Sequence, residues 1–163
     1  MSSLQEEEEM SPVTPAMKRF LSAERYAVIG KVLSDRSRWD NKVLRWYQTH
    51  KYPVTPVRPD NPSSEAIEGL DILTNPLAIP SLPSTSVSII IHPSKSLGIL
   101  QNLFSNPSQA PYSVWFQPGA DDESIWKWVK EKGLEDKVIG HGACLLRDGN
   151  GVLAAIQEDK SKL

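Results

Sequence analysis

The sequence is poor in cysteine, in histidine and in long apolar stretches. Its one cysteine, Cys144, cannot form an intrachain disulfide, so a disulfide-stapled secreted scaffold is excluded. The chain has only three histidines and no second cysteine, so its residues are poorly suited to form a zinc site. No apolar run approaches membrane-spanning length, and the N-terminus resembles neither a signal peptide nor a transit peptide. We therefore expect a cytoplasmic protein without membrane contact.

The sequence also has no excess of positive charge. Lys and Arg number 18 against 20 Asp and Glu, which gives a formal net charge of −2. Nucleic-acid backbones require a basic surface, so a general nucleic-acid binder is excluded, whereas a small basic pocket is not. Hydrophobic residues make up 39% of the chain, enough for one domain core. We predict a disordered acidic and Ser/Pro-rich tail over residues 1–15 and a single domain over residues 16–163.

Short apolar runs alternate with amphipathic segments along the chain. After Arg25, residues 26–30 are apolar without alternation, which is typical of a strand covered on both faces. Alternating strands and helices of this length give βαβ units. We therefore predict an α/β fold, Rossmann-like and three-layered, with a mostly parallel sheet of five to six strands. The predicted strands are 25–30, 52–57, 69–73, 86–91, 112–116 and 137–139, and the main helices are 16–23, 41–51, 93–104, one ending at Gly133 and one within 150–163.

Turns rich in Gly, Pro and polar residues follow the predicted strands. On parallel sheets, ligands bind at the carboxyl ends of the strands, where the strand order reverses. Here that point is expected between strands 25–30 and 86–91. The clustering indicates a ligand site at one edge of the sheet.

The first of these turns suits a phosphate. A dinucleotide fingerprint needs three glycines, and only Gly30 is present, so the standard NAD fingerprint is absent. The helix predicted from Asn41, with Asp40 as its cap, offers N–H groups to an anion. A solvated basic loop is the alternative interpretation. Positive charge near this turn comes from Lys31, Arg36, Arg38 and Lys42.

Three later turns extend the predicted cofactor site. Dinucleotide folds place an acid after the second strand, but this chain has Arg58, followed by Pro59; arginine suits a phosphomonoester such as that of NADP or the 3′-phosphate of CoA. An exposed loop arginine is the alternative. The remaining candidates, which suit a pyrophosphate, a pantetheine amide or merely the local turn, are His92, Pro93, Ser94, Gln117 and Gly119.

Two residues after the last predicted strand are candidates for catalysis. His141 and Cys144 are three positions apart, a spacing that suits a nucleophile and its base. A lone cysteine after a strand is also common as a small core residue. Whether the protein is an enzyme is left open.

Several segments, in chain order, resemble one known family, namely 26–30 with 41–43, 54–59, 75–80 and 114–119. Cys144 falls where that family carries a cysteine. Over residues 25–148 the chain resembles the small stand-alone CoA-binding domain proteins, which are similar to the N-terminal domain of the succinyl-CoA ligase α-subunit. The resemblance implies a Rossmann-like, CoA-binding fold. The chain differs from the usual family sequence at three positions. Lys31 replaces a small residue, Arg58 replaces Asn, and Leu145 replaces Pro.

The leading hypothesis is binding of coenzyme A or an acyl-CoA at the sheet edge, as a carrier, a regulator or a small enzyme acting on the bound thioester. The alternatives are a small NADP-dependent reductase or isomerase, and a non-catalytic interaction module whose nucleotide site has decayed. The expected partners are a nucleotide cofactor or a thioester small molecule. Trp39 and Trp126, predicted to be exposed, suit stacking on adenine or a homodimer contact.

Overall fold

The computed structural model describes residues 11–31, 33–59 and 65–162. Helices and strands alternate along most of this part of the chain. The helices are α1 (Pro15–Phe20), α2 (Trp39–Thr49), α3 (Pro93–Leu103), α4 (Glu123–Glu131) and α5 (Leu145–Ser161). The strands are β1 (Arg25–Gly30), β2 (Val54–Val57), β3 (Thr85–Ile90), β4 (Ser113–Phe116) and β5 (Val138–Ile139).

The five strands form one sheet in the order β2-β1-β3-β4-β5, and every neighbouring pair is parallel. Ile29 of β1 pairs with Val57 on one side and with Ile89 on the other. The strand order therefore reverses at β1, next to β3. The predicted α/β, Rossmann-like fold with a parallel sheet of five to six strands is confirmed.

The sheet separates two apolar cores. One contains residues of α1, α2 and α5, and the other contains residues of α3 and α4. Successive residues of a strand point to opposite faces, so Val28 enters the first core while Ala27 and Ile29 enter the second. Burial on both faces explains why β1 is apolar without alternation.

The segment between β2 and β3 differs from its prediction. No strand forms over residues 69–73; Leu73 makes an isolated parallel bridge to Val57, and Ile67 makes an antiparallel bridge to Leu70. Glu68 and Gly69 both have positive φ angles, 50° and 79°, so the chain turns here and cannot extend. As a result β2 is an edge strand of the sheet, a position where its prolines are tolerated.

Two helix starts also differ from their predictions. Helix α2 begins at Trp39, so Asp40 lies inside its first turn and is not the N-cap. Helix α5 begins at Leu145, well before the predicted range 150–163, because Asp148 accepts the N–H of Cys144 and holds this start. Among the described residues, no helix is long and apolar enough to cross a bilayer.

Helices α2 and α5 approach each other closely at Gly149. A Cβ atom on Gly149 would lie 2.5 Å from Cζ2 of Trp46. Gly149→Ala should therefore lower the free energy of unfolding by about 1–3 kcal/mol, because the indole must shift. Gly98→Ala in α3 is the control, since its Cβ would meet nothing within 4 Å. Alanine there should raise stability by about 0.5–1 kcal/mol. Urea unfolding measures both; equal effects would contradict the close packing.

Candidate functional site

A cleft of about 470 Å³ opens at the carboxyl ends of β1, β3 and β4, and we call it the rim cleft. Its walls come from the β1–α2 loop with the first turn of α2, from the end of β3, and from the turn after β4. It lies where the strand order reverses. The cleft brings together four of the residues predicted from the sequence, namely Lys31, Arg38, His92 and Gly119.

The mouth of the rim cleft carries positive charge and an aromatic ring. Lys31 and Arg38 are exposed, and Trp39, between Arg38 and Asp40 in the sequence, is 42% exposed. Asp40 also lines the cleft but is only 2% exposed. The cleft therefore combines an outer pair of cations with an inner carboxylate.

Asp40 packs directly over the end of β1. A Cβ atom on Gly30 would lie 2.5 Å from Oδ2 of Asp40, so only glycine allows this contact. The N–H of Asn41 donates to Oδ1 of Asp40 at 2.8 Å. A carboxylate of the chain itself therefore accepts this N–H of the first turn of α2. Binding of an external anion at the helix start stays a prediction.

The turn after β3 is organised by His92. Its Nδ1 accepts the N–H of Ser94 at 3.1 Å and lies 2.8 Å from the Ser94 hydroxyl. His92 therefore caps α3, whose first residue is Pro93. His92 and Ser94 are both exposed, beside the rim cleft.

Gln117 directly follows the last residue of β4 and is completely buried. Its Oε1 accepts the N–H of Leu145 at 2.9 Å, and its Nε2 has no hydrogen-bond partner among the described residues. The Trp115 indole donates to the carbonyl of Ala143 at 3.0 Å. Together these bonds fix the turn before α5 against β4. Gln117 thus acts here as a structural link, and its contact with a ligand stays a prediction.

Asn41 is placed in the interior and away from the cleft lining. It is fully buried and donates to the carbonyl of Leu33 at 2.7 Å and to Oε2 of Glu68 at 3.1 Å. Its Oδ1 accepts from Nε of Arg45 at 2.6 Å. These bonds hold the β1–α2 loop, so Asn41 supports the rim cleft from behind.

Three further predicted residues are not in the cleft lining. Lys42 is exposed on α2. Arg58 is 6% exposed after β2, its N–H donates to the carbonyl of Leu73 at 2.8 Å, and it has other interactions within the chain. Pro59 follows it, half-buried. Arg58 therefore lies outside the lining of the rim cleft, and its contact with a ligand stays a prediction.

The candidate catalytic pair lies after β5. The His141 ring stacks on the Trp126 indole with 3.8 Å between centroids, and Asp121 Oδ2 accepts from both the His141 N–H and Trp126 Nε1. Cys144 is 5% exposed at the start of α5. No hydrogen bond joins the two side chains in the described part of the chain. Their action as nucleophile and base stays a prediction.

An ion pair with a buried carboxylate, beside Cys144, was not predicted from the sequence. Asp148, 2% exposed, accepts the N–H groups of Ser11 and Cys144, each at 2.9 Å, and pairs with Arg147 at 2.8 Å. Arg147 also donates to the hydroxyl of Ser11 at 2.7 Å. The missed signal was an acid in the first turn of a helix whose glycines hid its start. This network ties the chain before α1 to α5.

A second cavity, of about 650 Å³, runs along the open edge of β5. It is lined mainly by apolar side chains from residues 11–17 and 135–143, and we call it the edge groove. His141 lies at one end of it. The edge groove and the rim cleft have no lining residue in common.

Comparison with known proteins identifies a family for this chain. A family model described as CoA binding domain matches residues 24–150. No curated protein matches the sequence.

Several solved structures share the fold. Prb, described as the PH1109 protein redesigned for binding, has a TM-score of 0.69 at 22% identity over 89% of this chain and 96% of its own. A hypothetical protein from Pyrococcus horikoshii OT3 has a TM-score of 0.69 at 21% identity, over 89% and 98%. A Thermus thermophilus protein, cell-free ID.343, has 0.64 at 23%, over 81% and 92%. At these identities the likeness shows the fold alone.

Asp148 makes stability depend on acid pH. Burial alone would raise its pKa, but hydrogen bonds from Arg147, Cys144 and Ser11 outweigh burial and hold the pKa of Asp148 below its usual range. Its stabilising contribution is therefore present above about pH 4 and is lost as pH falls through the lowered pKa.

We expect Asp148→Asn to lower the free energy of unfolding by about 1–3 kcal/mol at pH 7, with a smaller loss at pH 3. Urea unfolding at both values measures this. Asp159→Asn, which breaks an exposed pair with Lys18, is the control and should change stability little. A loss from Asp148→Asn that is the same at both pH values would argue against the buried charge.

Proposed function

Because the chain belongs to the CoA-binding domain family, we propose that it binds coenzyme A or an acyl-CoA in the rim cleft. Family membership suggests CoA binding in general; the cleft, the acyl group and the role are our inference. The proposal is carried by one observation, a cleft at the reversal of strand order whose mouth holds Lys31 and Arg38.

The residues of the cleft suit distinct parts of the ligand. Lys31 and Arg38, which line the cleft, attract the phosphates through charge-assisted hydrogen bonds in this proposal. Trp39 offers an exposed face on which adenine stacks. On the opposite wall, His92 has a ring that donates or accepts a hydrogen bond to a polar group of the ligand.

A carrier or regulator fits the structure better than an enzyme. Cys144 is almost completely buried, whereas His141 is exposed and stacked on Trp126. A nucleophile needs access to substrate and a base within hydrogen-bond reach. We therefore propose that the protein holds the thioester without cleaving it.

Calorimetric titration with CoA, acetyl-CoA and NADPH tests the binding. Lys31→Ala and Arg38→Ala should each weaken CoA about fivefold, with a smaller loss at high salt because exposed charges are screened. Lys130→Ala, exposed near the end of α4, is the matched control and should leave the affinity unchanged. Binding of NADPH with no CoA binding would contradict the proposal and favour the NADP-dependent alternative.

Arg58 is proposed to bind the 3′-phosphate from the end of β2. Arg58→Ala should then weaken CoA more than dephospho-CoA, by about 1.5–3 kcal/mol, because charged hydrogen bonds to that phosphate are lost. Paired titrations with the two ligands measure the difference. Equal losses for both would remove Arg58 from this role and leave it as a structural residue after β2.

A further inference from the structure

We propose that Asp40 is a specificity residue of the rim cleft, which keeps phosphate away from the end of β1 and favours a neutral hydrogen-bond donor there. This inference rests on the proposed function, since it concerns how the same cleft selects among parts of its ligand. The position of the Asp40 carboxylate, over Gly30 and at the start of α2, is the observation behind it.

The carboxylate occupies the space directly over the backbone of β1. Both Oδ2 and Cβ of Asp40 come within 2.6 Å of where a Gly30 Cβ would be. In nucleotide-binding α/β folds, glycine in the turn after the first strand lets a pyrophosphate approach the backbone. In this chain the open space beside Gly30 is filled by a side chain of α2.

The same carboxylate also occupies the start of α2. Helix N-termini attract anions through their N–H groups and the helix dipole. Here Oδ1 of Asp40 accepts the N–H of Asn41 at 2.8 Å, so the chain supplies its own anion. A phosphate at this point would lose an N–H donor and face a nearby like charge.

The two sides of the cleft therefore have opposite preferences. The diphosphate of the ligand is directed outward to Lys31 and Arg38, which are exposed. A hydroxyl or an amide N–H, such as those of pantetheine, fits against Asp40 because it donates to the carboxylate. Affinity for highly charged ligands is held down, and the ligand is oriented in the cleft.

The test compares Asp40→Asn with the wild-type protein. Asparagine has nearly the same shape, and its side-chain oxygen still accepts the N–H of Asn41, but it carries no charge. Calorimetry should show CoA and ADP binding at least tenfold more tightly to Asp40→Asn, whereas the affinity for pantetheine, which has no phosphate, stays the same or falls. Asp40→Ser is a second variant, made in case Asp40→Asn does not fold, and we expect the same result for it. Asp35→Asn, an exposed acid of the same loop, should change CoA affinity less than twofold.

The outcomes separate this inference from the proposed function. If the wild-type protein binds CoA but neither folded Asp40 variant binds it more tightly, Asp40 does not exclude phosphate. An equal gain for pantetheine would also overturn the inference, since the effect would then be one of space and not of charge. If no protein in the series binds CoA, the proposed function itself fails.

Discussion

The parallel pairing of β1 with both β2 and β3 is the constraint on which the rest of the molecule depends. It places β1 inside the sheet and makes the chain leave the ends of β1 and β3 toward opposite faces. The rim cleft opens between those two departures. Without this pairing, Lys31 and His92 would not share a cavity, and the CoA-binding proposal would have no site.

Packing on each side of the sheet holds the rim in place. Helix α2 lies close to α5 because Gly149 admits the Trp46 indole, and Gln117 and Trp115 attach the turn before α5 to β4. The buried bonds of Asn41 hold the β1–α2 loop from behind. The cleft is therefore built on fixed elements, as is expected of a preorganised ligand site.

Much of this fold could be predicted from the sequence, and the reasons are local. Strands β1 and β3 were found to within one residue. The apolar run of β1 is typical of a strand buried on both faces, and β3 is a short segment rich in β-branched residues. The start of α5 was missed because glycines weaken the helical pattern. A strand was wrongly predicted at 69–73 because the turn there depends on positive φ angles, which the sequence pattern does not show. Lys31, Arg38, His92 and Gly119 follow strand ends, so topology alone brings them together. Nothing in the sequence shows that Asp40 packs over Gly30, because this contact depends on how the start of α2 lies against the end of β1.

We propose that CoA occupies the rim cleft and not another surface of the protein. Two-dimensional amide NMR of the protein during a CoA titration tests this directly. We expect the largest shifts at Lys31, Arg38, His92 and Gly119, with little change along the edge groove at residues 135–143. Shifts confined to the edge groove, or none at saturating CoA, would contradict binding of CoA in the rim cleft.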